Sequence, residues 1–370
     1  MADTKHTFTG ILCLAGWLCL AAVPDAGKII TVKGPVEPEA LGRVLSHEHV
    51  LVDFDGAAVA FPGRYDRAEV VALVLPFLAN LREKGFRSFV ECTPDGLGRD
   101  VLLLRELSEK SGLHLLTNTG YYPLRKGKHV PEHGLRESAG ELAARWIAES
   151  RNGIRGTSIR PGFIKIAVSN APLPELDEKI IRAAARTHLE TGLTIAMHTG
   201  TGRESSARAE AGMRALEILR EEGVSPRALI WVHAQASAGN WDTLLQAAEL
   251  GAWISFDGAS NNNRAEQHVK WLLDMESAGY LNQLLVSHDN GWYRVGEENS
   301  PESFKPYTII SDVVIPKLLQ AGWSMDRIDC LLVENPRRAF TVSMRRAKPG
   351  SESMGTVLLG AFKIPAECLW

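Results

Sequence analysis

The tetrapeptide Ser46-His47-Glu48-His49 sets two imidazoles two residues apart at the end of an apolar run. On an extended chain such residues face the same side, about 7 Å apart, so both rings can converge on one cation. Neutral imidazole nitrogen suits zinc and related metals. One His-x-His pair alone is a weak signal, two polar residues at a strand end being the more common case. Three further apolar segments, however, close in the same manner: Ala196-Met197-His198-Thr199-Gly200, Trp231-Val232-His233-Ala234 and Val286-Ser287-His288-Asp289. A hydrogen-bonded core histidine explains any one of these but not the series. Lys165 is the odd member, lying within Phe163-Ile164-Lys165-Ile166-Ala167-Val168. A lone buried ammonium is costly, so this lysine must be paired, neutral or modified. Addition of carbon dioxide turns it into a carbamate, an anionic two-oxygen group able to bridge two cations. An ion pair with Asp289 or Glu91 is the plainer alternative.

These residues need a scaffold that delivers them to one place. Eight short apolar runs read as strands: 43–49, 87–93, 114–119, 162–168, 193–198, 228–233, 252–257 and 283–289. Most are rich in Val, Ile, Leu and Phe with little polar alternation, as expected where both faces of a parallel sheet are buried. Helical periodicity falls between them at 100–111, 142–148, 177–190, 207–222, 240–250 and 266–277. The alternation predicts the α/β class and a (β/α)8 TIM barrel, with an open doubly wound sheet as the rival. A short extended lead (28–36) precedes the barrel and a tail follows it. In a barrel all strand carboxyl ends meet at one rim, and each of the histidines above sits at such an end.

The chain has 370 residues, 45% of them hydrophobic and 23% charged, enough for one large barrel core. Its net charge of −3 and the absence of a Lys/Arg block argue against a nucleic-acid binder and toward a small uncharged or mixed substrate. Lys5 and His6, the apolar run 11–23 and Pro24-Asp25-Ala26 form the pattern of a secretory signal peptide over 1–26. The run is too short to span a bilayer. Export to the periplasm or the exterior is therefore expected, with no stable membrane insertion once the leader is removed. A hydrolase domain over 27–345 and an extension over 346–370 complete the layout. Cysteines 92, 330 and 368 form neither a disulfide framework nor a metal knuckle.

The ordered series resembles the phosphotriesterase branch of the amidohydrolase superfamily, with its phosphotriesterases, lactonases and phosphotriesterase-related proteins. The resemblance runs from Val32-Lys33-Gly34-Pro35-Val36 through Ser46-His47-Glu48-His49, Gly98-Arg99-Asp100, Lys165, His198-Thr199-Gly200, His233 and Ser287-His288-Asp289 to Glu334-Asn335-Pro336. It implies two divalent metal ions, zinc before manganese, cobalt or iron. His47, His49 and Asp289 would hold the buried ion, His198 and His233 the more exposed one, and N6-carboxylated Lys165 would bridge them. It further implies a hydroxide between the ions that attacks a carbonyl or phosphoryl centre, with Asp289 as general base and proton shuttle. Lactonases of this branch place a tyrosine over the exposed metal, and Tyr121 stands at about that position. Related proteins are often homodimers, although no stretch of this sequence marks an interface.

Two departures matter. Ala234-Gln235-Ala236-Ser237 follows His233 where many relatives carry an acidic pair, and Gly258 follows Asp257 where a histidine or arginine is common. The relay of those enzymes does not carry over. Asp257 is expected behind the ligands, bonded to one of them or to Gln235. The segment 290–306, with Trp292 and Arg294, is expected to form a lid that shapes specificity. His114, His129, His133, His188, His268 and His288 are read as structural, with His129 and His133 near enough to line a pocket. The leading expectation is hydrolysis of a lactone, ester or phosphoester, lactone slightly favoured. An amide or phosphodiester hydrolase on the same site is the alternative, and a decayed ligand-binding barrel is a more distant one.

Overall fold

The computed structural model describes residues 23, 25–200, 202 and 204–348. Most of the leader expected over 1–26 and the tail from 349 onward lie outside them. Among the described residues no helix is long and apolar enough to cross a membrane.

Eight strands form the barrel: β1 (Arg43–Glu48), β2 (Phe86–Glu91), β3 (His114–Leu116 and Asn118–Thr119), β4 (Phe163–Val168), β5 (Ile195–Thr199), β6 (Leu229–Val232), β7 (Trp253–Phe256) and β8 (Leu284–Val286). Each pairs in parallel with the next, from β1–β2 through β7–β8. The β8–β1 seam is closed by individual hydrogen bonds: Ser46 Oγ to Val286 O (3.2 Å), Ser287 Oγ with His47 N (3.1 Å) and Asp289 N to His47 O (3.2 Å). The last strand is shorter than the 283–289 expected. Its three final residues turn out of the sheet, and Asp289 takes a left-handed φ of 56°.

Two apolar layers hold the barrel. One fills its interior: Val44, Val90, Leu116, Phe163, Ala196, Ile230, Trp253 and Leu285, one from each strand, with Phe340 packed against them. The other lies between the strands and the surrounding helices. Those helices have identifiable ends. Asp100 caps Val101–Ser111 by accepting from the amides of Leu102 and Leu103, and Ser138 with Glu141 forms a reciprocal cap on Ala139–Asn152. Glu175–Thr191 ends at Gly192, where φ of 70° suits a residue without Cβ. An additional helix, Arg67–Glu83, contains Pro76 and was not marked by the periodicity.

Candidate metal centre

Side chains two residues apart on a strand point the same way, so the interior layer indexes what comes next toward the rim. Two steps beyond Val90, Phe163 and Ala196 stand Cys92, Lys165 and His198. Two steps beyond Trp253 is Ser255, then Asp257, and beyond Leu285 is Ser287, then Asp289. Strand β1 breaks this rule: its pairing with β2 shifts between Leu45 and Glu48, which re-aims His47 and His49 inward. His233 is re-aimed by its own left-handed φ of 59° just past β6. The result is a cleft of about 520 Å³, open to solvent, whose wall includes His47, His49, Lys165, His198, His233 and Asp289.

The histidines are close together, with ring centres 5.4 Å apart for His47–His49, 4.9 Å for His47–His233 and 4.5 Å for His198–His233. Their surroundings decide which nitrogen is free. His49 Nδ1 lies 2.7 Å from Thr93 Oγ1, whose own hydrogen goes to Glu91 Oε1 at 2.6 Å. Thr93 therefore accepts from His49, leaving Nε2 as a lone pair 3.2 Å from Asp289 Oδ1. His233 Nδ1–H donates to Asp257 Oδ1 at 2.6 Å, again freeing Nε2. His198 is reversed: Nε2–H donates to the Gly200 carbonyl at 2.9 Å, freeing Nδ1. Ligating histidines are typically oriented in this way by a group that fixes the tautomer.

The electrostatics favour neutral rings at His47 and His198, and the charged form at His233. Burial, helped by the Lys165 ammonium, lowers His47 to about 4. Burial and the neighbouring His233 hold His198 well below the ordinary imidazole range. At His233 burial also works downward, but the Asp257 carboxylate outweighs it and the net shift is upward. Burial likewise lowers Lys165.

Three buried atoms of the candidate ligands have no hydrogen-bond partner among the described residues: Asp289 Oδ1, Lys165 Nζ and His47 Nδ1, the last 3.4 Å from Asp257 Oδ2 but without bonding geometry; His129 Nδ1, on the same wall but outside that set, is a further one. Lys165 is only 2% exposed and makes no ion pair among those residues, so the salt bridge to Asp289 or Glu91 weighed above is not formed. A buried polar group without a partner costs about 1–3 kcal/mol, so three in one cleft point to a missing shared partner. Cations fit that requirement. The donor atoms of His47, His49 and Asp289 lie within 4.8 Å of one another, as do those of His47, His233 and Asp257. The second set is the weaker one, because Asp257 already accepts from His233, Gln235 and Ser255. His198, with Nδ1 free, is the better companion for His233.

Asp257 and Gln235 thus occupy the supporting place expected of them, Gln235 also accepting from the Asp257 amide at 3.2 Å. Trp292 lines the cleft, 4.3 Å from the His49 ring. Two expectations need correcting. Tyr121 does not lean over the site: it is buried, bonded to His133 Nε2 at 2.7 Å and packed on Trp146. Its neighbour Tyr122 lines the cleft instead, with its hydroxyl 3.5 Å from His198 Nε2. Arg294, exposed like Arg125, bonds within its own loop and brings its guanidinium carbon to 6.0 Å from the Phe54 ring centre, but it is not on the cleft wall, where Arg125 stands. Sequence reasoning also missed Glu48, which accepts from Ser287 Oγ, His288 N, His288 Nδ1 and Asn290 N. Its position inside the His-x-His motif, as an acid in an apolar strand, was the available signal.

A parallel β/α barrel that gathers histidines and carboxylates at its carboxyl rim defines a metal-dependent hydrolase of the binuclear kind. The chain belongs to the phosphotriesterase family, whose model matches residues 27–340. It is 28% identical over 312 residues to the phosphotriesterase homology protein of Escherichia coli, covering 81% of this chain and 98% of that one. It is also 28% identical over 357 residues to the N-acetyltaurine hydrolase of Tetraodon nigroviridis, covering 85% and 98%. A solved structure of an organophosphorus hydrolase mutant from Deinococcus radiodurans superposes with a TM-score of 0.73 at 29% identity, covering 86% and 98%.

Proposed function

We propose that this hydrolase cleaves a lactone, ester or phosphoester, with the lactone slightly favoured, at two cations bridged by carboxylated Lys165. The supporting observation is Lys165 itself: a buried amine without a partner, set among four histidines and Asp289. A carbamate at Nζ would replace an orphaned cation by an anion with two donor oxygens. His47, His49 and Asp289 would hold one ion, His198 and His233 the other, with zinc the metal that this N/O set suits. Such ions, when bound, polarise a carbonyl or phosphoryl oxygen and lower the pKa of water from roughly 15.7 toward 7.

The chain's own groups do the rest. Asp289, the carboxylate on the cleft wall, is placed to accept the proton of the attacking water. Tyr122, its hydroxyl pointing at His198, is placed to donate to a substrate oxygen. Phe54, Leu97 and Trp292 make an apolar wall beside the reacting groups. An amide is the second reading, favoured by the similarity to N-acetyltaurine hydrolases, since ester and amide share carbonyl addition.

The test is metal analysis of protein purified without chelator, followed by a panel of lactones, aryl esters, organophosphates and N-acyl amines. About two metals per chain with turnover of the lactones is expected. Absence of metal would refute the hydrolase reading in favour of a ligand-binding barrel. Turnover confined to the amides would replace the ester reading.

A further inference from the structure

The inner half of the cleft is the candidate metal centre. Its outer half is built largely by the loop after β3. There Arg125, Lys126 and Gly127 all have left-handed φ values, 57°, 59° and 76°, and the turn is closed by Gly127 N to Pro123 O at 2.7 Å. Two consecutive non-glycine residues in this region are uncommon, and such strain persists where the surrounding structure enforces it. Its effect is to aim Arg125 along the cleft wall. The guanidinium carbon lies 5.9 Å from the Phe54 ring centre, and that of Arg294, which is not on the cleft wall, lies 6.0 Å from the same ring. Phe54 stacks on Trp292 at 5.8 Å, and Trp292 packs on His49 at 4.3 Å. Arg125 therefore stands at the outer end of an aromatic column whose inner end is a candidate metal ligand.

The charge around it is one-sided. The carboxylates of the adjoining loops are already engaged by other arginines: Asp53 and Asp55 by Arg64, and Asp95 by Arg155 and Arg99. Neither Arg125 nor Lys126 has an ion-pair partner among the described residues. Lys128 adds a third cation, anchored on the Phe54 carbonyl at 2.8 Å. Asp289 is the sole carboxylate on the cleft wall among those residues, and it sits at its base. A guanidinium with free N–H donors beside an apolar slot is suited to an oxyanion, which it can grip in bidentate fashion.

We propose that the cleft takes a substrate carrying an anionic substituent, such as a carboxylate, sulfonate or phosphate, away from the bond that is cleaved, and that Arg125 receives it. The bond-breaking half rests on the hydrolase reading above; the anion preference stands on the rim alone. The overall charge of −3 hides this local excess of positive charge.

The test compares 4-acetoxybenzoate with its neutral isostere 4-acetoxybenzamide on the full-length, metal-loaded protein. Binding is read by calorimetry and hydrolysis by phenol release. The acid should bind, and show a KM, about tenfold better than the amide, as a charge-assisted contact predicts. Arg125→Gln should erase that difference while changing the values for the amide less than about twofold, and Arg125→Lys should keep part of it. Metal content and melting temperature check that both variants fold. No measurable binding of the acid, an equal response to both probes, or a preference that survives Arg125→Gln overturns the proposal. A preference in binding without any turnover would instead sink the ester-hydrolase reading and leave the anion subsite standing.

Discussion

Seven histidines of this barrel fall into two populations that differ in how completely their nitrogens are used. His188, His268 and His288 have both ring nitrogens bonded to protein. His188 Nδ1 donates to Leu193 O while Nε2 accepts from Arg345 N; His268 bridges Arg264 O and Gly258 N; His288 bridges Glu48 and Ile310 N. At the rim, His49, His198 and His233 each have one nitrogen fixed by protein and the other turned to the cleft, and His47 has Nδ1 unpartnered. His47 and His49 are as buried as the satisfied three, whereas His198 and His233 are partly open to the cleft. What separates them is the unused valence gathered at the rim, which a ligand from outside can fill.

The comparison is broken most directly at Lys165. Lys165→Ala should lose most bound metal and lower turnover by about a thousandfold or more, with partial rescue by a short carboxylic acid. Metal analysis and activity with and without acetate read both effects, and full activity without rescue would remove the bridging carbamate from the account.

The satisfied group should answer to pH. His188 is held near 4 by burial, against about 6.5 in an unfolded chain, so the unfolded state binds more protons between those values. Its contribution to stability is complete above pH 6.5 and declines as pH falls toward 4, by about 3 kcal/mol in all. Denaturant midpoints across that window should fall less in His188→Gln than in the parent. Parallel curves would mean that His188 does not carry this dependence.

A smaller effect is expected one bond behind the ligands. Asp257→Asn should weaken metal affinity or activity about 10- to 100-fold by loosening His233, with little change in melting temperature of the metal-free protein. Metal titration would show it, and unchanged affinity would demote Asp257 to packing. The smallest difference should separate the two adjacent tyrosines. Tyr122→Phe should reduce turnover severalfold at unchanged metal content, an effect on the scale of one hydrogen bond, whereas Tyr121→Phe should leave turnover unchanged. Equal effects would contradict the assignment of Tyr122 to the cleft.

Much of this architecture was legible beforehand because it rests on periodicity. The eight apolar runs reappear as β1 to β8, since strands buried on both faces leave a mark no longer than themselves. The helix Arg67–Glu83 escaped notice because its leucines and valines surround Pro76, which reads as an interruption. The clustering of His47, His49, Lys165, His198, His233 and Asp289 followed from strand ends, which the fold gathers at one rim. Aim was harder to foresee than place. Tyr121 and Tyr122 differ by one position, and which of them faces inward depends on backbone turns that composition does not encode. The two loop arginines illustrate the same difficulty: Arg294 stops at the Phe54 ring instead of reaching the cleft wall, and the left-handed turn at Arg125 could not be inferred from Leu124-Arg125-Lys126-Gly127 alone.

Glu48 ties the first strand to residues about 240 positions later, across the seam where the cylinder shuts. The motif that opens the domain and the one that ends its last strand are therefore mutually dependent. During synthesis His47 and His49 must wait for nearly the whole domain before Asp289 can join them. A cation gripping all three would then act as a clasp on the circumference, resisting the separation of first and last staves from which unravelling would otherwise begin.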